Sequence, residues 1–99
     1  MLKKDLIKLC MLHLLTVSDR YGYEVLSLLH SAFPDTRESA IYALLRELCR
    51  EKFTESYVGE TSGGPARKYY RITESGRSGY MELLGQWRAL KESLSGLGL

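Results

Sequence analysis

The sequence predicts a mainly α-helical fold with a two-stranded β wing, a winged helix-turn-helix followed by a C-terminal dimerisation helix. Three segments with helical spacing of apolar residues come first. Two β-like runs joined by a glycine-rich turn follow, and the last segment repeats apolar residues in heptads. The order helix, helix, helix, strand, turn, strand, helix is that of a winged helix-turn-helix. We assign residues 1–73 to this unit and residues 74–99 to the dimerisation helix.

The composition indicates one small globular domain. The chain has 99 residues, of which 44% are hydrophobic, and a net charge of +2. That charge excludes a generally basic surface, so binding to nucleic acid would need clustered cations. The sequence has no apolar run of membrane-spanning length and no signal-peptide pattern at its start, so we expect a cytoplasmic protein without a membrane partner. Its two cysteines are expected to be reduced core thiols.

The first two helices are predicted over residues 5–17 and 21–33, with residues 18–20 connecting them. Gly22, near the start of the second helix, indicates a tight turn or close backbone packing. Pro34 and Asp35 end that helix. The first helix has one apolar stripe, broadened by its neighbours: Leu6, Cys10 and His13 or Leu14, with Ile7, Leu9 and Leu15.

The third helix is predicted from about residue 37 to residue 52. Asp35 and Glu38 have the spacing of a capping box, and Thr36 is a rival cap. Glu47 and Glu51 are expected to be solvated partners of cations on the same helix, Arg50 and Lys52. The apolar stripe has i, i+3, i+4, i+7 spacing: Ile41, Leu44, Leu45 and Leu48.

The hairpin is predicted from strands at residues 53–59 and 67–73, joined by a turn that contains Gly63, Gly64 and Pro65. Because side chains alternate along a strand, one face carries Arg67, Tyr69 and Arg71, and the other carries Lys68, Tyr70 and Ile72. Cations interleaved with aromatic rings suit a sugar-phosphate backbone. The alternative is a solvated hairpin whose arginine stems cover the core. Thr73 is predicted to cap the last helix.

The last helix carries an a/d heptad pattern typical of a coiled-coil seam. Its apolar residues are spaced by 3, 4, 3, 4 and 3 positions: Tyr80, Leu83, Trp87, Leu90, Leu94 and Leu97. The alternative is that this stripe packs back on the first helix of the same chain. Trp87 is accordingly interpreted either as seam packing or as an aromatic against which a ligand stacks.

These motifs together resemble the PadR family of transcriptional regulators, specifically its small subclass with a single C-terminal helix. The resemblance covers nearly the whole chain. It rests on Tyr21-Gly22-Tyr23-Glu24, Ile41-Tyr42 with Leu44-Leu45-Arg46-Glu47-Leu48, Gly63-Gly64-Pro65 with Arg67-Lys68-Tyr69-Tyr70-Arg71-Ile72-Thr73, Gly76 and Trp87. The chain departs from the family pattern at Arg37, Ala40 and Ala43, and at Lys52, where relatives commonly have glycine. The first two leave the preferred DNA sequence open.

The resemblance implies a dimeric DNA-binding regulator, expected to be a repressor that acts on a palindromic operator. It implies dimerisation through the first and last helices, and a planar hydrophobic ligand that stacks on Trp87 and releases DNA. The base contacts would come from Arg37, Glu38, Ser39 and Tyr42. The backbone contacts would come from Arg46, Arg67, Lys68 and Tyr69, and from Tyr21 and Tyr23, for which packing is the equal alternative.

Other kinds of site have little support in the sequence. Cys10 and His13 would make half of a metal site, but no CxxC, HxxxH or acidic cluster supplies the other ligands. No nucleophile with an adjacent base, P-loop or GxGxxG motif is present, so we expect neither an enzyme nor a cofactor. The rival hypothesis is a winged-helix protein–protein module that does not bind DNA.

Overall fold

The computed structural model describes residues 1–59 and 63–99, and within them it contains four helices and three strands. The predicted fold class, a mainly helical winged helix-turn-helix with a long last helix, is confirmed. In chain order the elements are α1 (Lys3–Val17), β1 (Arg20–Tyr21), α2 (Gly22–Ala32), α3 (Glu38–Arg50), β2 (Thr54–Gly59), β3 (Arg67–Ile72) and α4 (Glu74–Gly96).

The sheet has three strands rather than the two predicted, in the antiparallel order β1-β3-β2. Arg20 pairs with Tyr70 and Tyr21 pairs with Tyr69, so the segment before α2 forms a third strand on the free edge of the hairpin. The prediction of a connection at Arg20 and a helix from Tyr21 was therefore wrong. A two-residue strand has no sequence pattern of its own, because its hydrogen-bond partner comes from elsewhere in the chain.

The hydrophobic core lies between the first three helices and the inner face of the sheet. The predicted stripe of α3 is confirmed, since Ile41, Leu44, Leu45 and Leu48 are all buried. The stripe predicted for α1 was misplaced, because its core side is formed by Ile7, Met11, Leu12 and Leu15. Tyr70 is the sheet residue that joins this core. None of the described helices combines the length and hydropathy needed to cross a bilayer.

The start of α3 differs from the predicted capping box. Arg37 is the N-cap residue, and no side chain caps the helix there. The carbonyl of Arg37 accepts hydrogen bonds from the amides of Ala40 and Ile41, at 3.0 and 3.2 Å. Thr36 lies one residue too early to cap, and its Oγ1 is buried with no hydrogen-bond partner among the described residues.

The end of α3 is a Schellman motif closed by Lys52. The Lys52 amide bonds the Cys49 carbonyl at 3.1 Å, and the Phe53 amide bonds the Leu48 carbonyl at 3.0 Å. Lys52 has φ 66, the left-handed region in which a side chain crowds its own backbone. This is the position where the resemblance led us to expect glycine, and here lysine bears the strain.

Lys52→Gly is expected to stabilise the fold by about 0.5–1 kcal/mol, because glycine adopts a positive φ without steric cost while losing more chain entropy on folding. The measurement is the midpoint of urea unfolding, with the slope of the free energy of unfolding against urea concentration expected to stay unchanged. Lys52→Ala is the matched control, since it removes the charge but keeps the strained Cβ. A Lys52→Gly variant no more stable than Lys52→Ala would contradict the strain argument.

Helix α4 begins on the same two residues that close α3. The amide of Thr73 bonds the Phe53 carbonyl at 3.0 Å, and the Thr73 hydroxyl bonds the Lys52 carbonyl at 2.7 Å. Thr73 also caps α4 as predicted, because its Oγ1 accepts a hydrogen bond from the Gly76 amide at 3.0 Å. A Cβ on Gly76 would overlap the carbonyl oxygen of Phe53, so this contact requires glycine. We call these four residues the α3–α4 joint: Lys52, Phe53, Thr73 and Gly76.

Two carboxylates at the end of α3, Glu47 and Glu51, form ion pairs with lysines of α1, and among the described residues neither is paired with Arg50 or Lys52, which corrects the prediction. The ammonium group of Lys8 lies 2.7 Å from Glu51 and 3.1 Å from Glu47, and Lys8 is 8% exposed. Burial lowers the pKa of Lys8, but the hydrogen bonds and charges of the two carboxylates outweigh it and raise that pKa. The hydrogen bond from Lys8 lowers the pKa of Glu47. The Lys8–Glu47 ion pair therefore contributes stability at neutral pH that is lost as the pH falls and Glu47 becomes protonated.

Candidate nucleic-acid interface

The first turn of α3 presents its polar side chains to solvent. Arg37, Glu38 and Ser39 are exposed, and so is Arg46 two turns later. The first turn lies before the buried stripe, which begins at Ile41, and Arg46 lies beside that stripe on the solvent side. These four residues, which the sequence assigned to base and phosphate contacts, are available to a ligand.

The starts of α2 and β3 meet the first half of α3 around an open cavity of about 470 Å³. We call this cavity the tyrosine cleft. It brings together five of the residues predicted to contact DNA, while Arg37, Glu38, Ser39, Arg46 and Tyr69 do not line it. The lining residues are Tyr21, Gly22, Tyr23, Tyr42, Arg67, Lys68 and Tyr70.

Two features shape the tyrosine cleft. A Cβ on Gly22 would lie 3.2 Å from the Tyr42 ring, so glycine allows α2 to approach α3 closely at this point. Burial, helped by the negative charge of Glu38, raises the pKa of the Tyr42 hydroxyl. The hydroxyl therefore stays protonated at neutral pH and can donate a hydrogen bond to an acceptor on a ligand.

The three cations of the wing are not equivalent. Arg71 lies 2.7 Å from Glu55 on the neighbouring strand, and that hydrogen bond raises the pKa of Arg71. Arg67 and Lys68 have no carboxylate partner among the described residues. The guanidinium of Arg67 lies 4.4 Å from the centroid of the Tyr21 ring, and the ammonium of Lys68 lies 5.5 Å from that of Tyr70. Their charges remain available to an anion.

The outer face of the sheet carries a row of three tyrosines. The rings of Tyr57 and Tyr69 stack with centroids 5.7 Å apart, and Tyr21 meets Tyr69 edge-on at 5.8 Å. Tyr57 donates a hydrogen bond to Asp19 at 2.6 Å. That bond raises the pKa of the Tyr57 hydroxyl. Neither Tyr57 nor Asp19 was predicted from the sequence: strand pairing places Tyr57 opposite Tyr69, whereas Asp19 carries no sequence signal.

The predicted seam of α4 divides into two parts. Tyr80 and Leu83 pack against the core of their own domain, and the hydroxyl of Tyr80 lies 3.0 Å from Nδ1 of His13 on α1. Trp87, Leu90 and Leu94 are half-buried and lie outside that core, and Leu97, just beyond α4, is 83% exposed. The alternative of packing on α1 thus applies to the first part of the seam, while the second part lies beyond the core of the domain.

The described residues contain no group of three His, Cys, Asp or Glu side chains that could hold a metal ion. Cys10 and Cys49 are free thiols, both half-buried. Cys49 lies 3.1 Å from the hydroxyl of Thr54, and burial raises the pKa of Cys10. The Cys10 thiol, with its raised pKa, is therefore protonated at neutral pH.

A three-helix unit with an exposed third helix, a cationic wing and a protruding last helix defines the winged-helix class. Residues 11–82 match the model of the transcriptional regulator PadR-like family, and the chain belongs to that family. It is a transcriptional regulator, and the resemblance stated from the motifs is confirmed.

The chain is similar to several proteins over most of its length. An uncharacterised protein from Lysinibacillus sphaericus is 33% identical, over 93% of this chain and 91% of that protein. The crystal structure of a PadR-like transcriptional regulator from Bacillus cereus has a TM-score of 0.84 at 32% identity, covering 91% of this chain and 88% of that one. The crystal structure of a Streptococcus transcriptional regulator has a TM-score of 0.87 at 28% identity, covering 97% and 95%.

Proposed function

We propose that this regulator binds a palindromic operator as a homodimer and represses transcription from it, in the cytoplasm. The observation that carries the proposal is the tyrosine cleft, where Arg67 and Lys68, which have no carboxylate partner within residues 1–59 and 63–99, lie beside hydroxyl donors of α2 and α3. Phosphate oxygens need such a combination of cations and neutral donors. Membership of the PadR-like family supports it independently.

In this proposal α3 enters the major groove and the wing follows the flanking backbone. Arg37, Glu38 and Ser39 would contact base edges, because an exposed first turn reaches furthest into the groove. Tyr42 would contact bases at the edge of the tyrosine cleft. The backbone contacts would come from Arg46, from Arg67, Lys68 and Tyr69 of the wing, and from Tyr21 and Tyr23 at the start of α2.

Selection from random DNA duplexes tests the proposal. Retained sequences are expected to share an inverted repeat, since two symmetric α3 helices would read two half-sites. Transcription in vitro from a template bearing that repeat is expected to fall when the protein is added. Retention of no duplex at low salt would favour the protein–protein module, whereas retention without sequence preference would leave only backbone binding.

The second part of the seam, which lies outside the core of its own domain and ends in the exposed Leu97, supports the dimer, with residues 74–99 as its main element. Leu90→Lys is expected to convert a dimer at micromolar concentration into a monomer, because it places a charge in an apolar interface. Analytical ultracentrifugation measures this, with Ser93→Lys, an exposed change on the same helix, as the control. A wild-type protein that sediments as a monomer would contradict the dimer and the palindromic operator.

A planar hydrophobic molecule that stacks on Trp87 between two subunits is the final part of the proposal. Its support is a half-buried tryptophan outside the core, on the second part of the seam. Because the chain contains one tryptophan, its fluorescence should be quenched when a flat dye binds. A panel of flat dyes that leaves the fluorescence of a DNA-binding protein unchanged would assign Trp87 to seam packing alone.

A further inference from the structure

A continuous set of side-chain contacts crosses the outer face of the sheet and ends at a cation of the wing. Asp19 accepts a hydrogen bond from Tyr57 at 2.6 Å, and Tyr57 stacks on Tyr69 at 5.7 Å. Tyr69 meets the Tyr21 ring at 5.8 Å, and the Arg67 guanidinium lies 4.4 Å above Tyr21. We call these five residues the wing brace. It spans all three strands and begins in the connection between α1 and β1.

We propose that Asp19 and Tyr57 are positioning residues for DNA binding, which hold the wing at the angle that places Arg67 beside the tyrosine cleft. The proposal rests on the proposed function, because it assigns Arg67 to a phosphate. Neither Asp19 nor Tyr57 would touch the DNA. They would act through Tyr69 and Tyr21 on the cation that does.

The need for such a brace follows from how the wing is attached. On the side of α2, the wing is held by β1, which has only two residues, Arg20 and Tyr21. Tyr70 anchors the inner face of the hairpin to the core, but so short a pairing constrains the twist of the hairpin about that edge only weakly. The Tyr57–Asp19 hydrogen bond ties β2, the opposite edge of the sheet, to the residues just before β1. The β1–β3 pairing and the Tyr57–Asp19 hydrogen bond together fix the angle of the wing, which the β1–β3 pairing alone holds only weakly.

The contacts between the tyrosine rings link the position of the wing to that of Arg67. Gly59 allows Tyr69 to lie flat on the sheet, since a Cβ there would lie 2.5 Å from the Tyr69 ring. With Tyr69 stacked on Tyr57 on one side, its edge supports Tyr21 on the other. The Tyr21 ring then gives the guanidinium a surface at 4.4 Å, where its charge is held by the ring and still exposed to an anion.

The sign of the Asp19 charge separates positioning from simple electrostatics. Asp19 is an exposed carboxylate on the side of the sheet that carries Arg67, and it would repel DNA phosphates. If it acted only through its charge, Asp19→Ala would strengthen DNA binding. If it positions the wing, the same substitution weakens binding. Tyr57→Phe changes no charge and keeps the stacked ring, so it removes the hydrogen bond alone.

The experiment measures the affinity of wild type, Tyr57→Phe, Asp19→Ala and the double variant for the selected duplex over a range of salt concentrations. Each single variant is expected to bind about 3- to 10-fold more weakly. The double variant should bind DNA no more weakly than whichever single variant has the lower affinity, because both substitutions break the same Tyr57–Asp19 hydrogen bond. The salt dependence should stay unchanged, because the number of phosphates neutralised is the same. Ser31→Ala, which removes an exposed hydroxyl on α2, is the control.

A second readout needs no DNA. Amide hydrogen exchange of β2 and β3 is expected to quicken in both single variants while α1 and α3 keep the wild-type protection. Unchanged affinity in Tyr57→Phe, tighter binding in Asp19→Ala, or losses that add in the double variant would each overturn the positioning role. A wild type that binds no duplex would overturn the proposed function first and this inference with it. Wild-type binding that survives both substitutions overturns the inference alone.

Discussion

Replacing Arg67 and Lys68 together with glutamine is expected to weaken DNA binding by on the order of a hundredfold or more near 0.1 M salt. A dimer would lose four cations, two from each wing. Each neutralised phosphate contributes about 0.9 to the slope of log affinity against log salt, so the slope should become shallower by about three to four units. The loss should be the same for every duplex sequence, because phosphate contacts carry no base information.

The matched control is Arg77→Gln with Arg88→Gln, which removes the same charge from exposed positions of α4. If binding responded only to net charge, the two double variants would lose equal affinity. We expect the α4 pair to change the slope by less than one unit. Fluorescence anisotropy with a labelled duplex at several salt concentrations measures both. A wing variant with the wild-type slope would show that the wing does not contact phosphates.

Gly76→Ala is expected to destabilise the fold by about 3 kcal/mol, because the α3–α4 joint has no room for another methyl group. The added methyl would overlap the carbonyl oxygen of Phe53 and lie 2.8 Å from Cγ1 of Ile72. The carbonyl cannot move away easily, because it also accepts the hydrogen bond from the Thr73 amide. Either the start of α4 or the start of β2 must shift, and the joint opens.

The same substitution at Gly85 should have the opposite sign. Nothing lies within 4 Å of a Cβ built on Gly85, and the heptad places this residue opposite the seam. Alanine there should stabilise the helix by up to about 1 kcal/mol. Thermal unfolding of the two variants measures the contrast, with a midpoint more than about 10 °C below wild type expected for Gly76→Ala. A Gly76→Ala protein as stable as Gly85→Ala would contradict the packing at the joint.

The elements that could be predicted from the sequence are those whose information is local. The stripe of α3, the strand β3 and the cap at Thr73 each depend on neighbouring residues, and each was confirmed. The features that could not be predicted depend on distant partners. Strand β1 exists because β3 offers it an edge, and Lys8 is buried because the carboxylates of Glu47 and Glu51 face it.

The candidate site divides in the same way. The cations and tyrosines of the tyrosine cleft were all named from the sequence, because their residue types already suit a phosphate backbone. That Glu55 neutralises Arg71 follows from the pairing register of β2 and β3, in which these two residues are opposite each other. The role of Asp19 could not be predicted, since its partner lies 38 residues away and no spacing rule links a connection to a strand.

The α3–α4 joint couples the orientation of α4 to that of α3. Helix α4 has 23 residues, and at 1.5 Å of rise per residue it is about 34 Å long. Thr73, at the start of α4, is hydrogen-bonded to Lys52 and Phe53, which follow the end of α3. A tilt of α4 therefore also moves the end of α3. A tilt of about 4° moves the far end by about 2 Å over that length. In the proposed dimer, a ligand that spread or closed the far ends of the two α4 helices would therefore also move the two α3 helices.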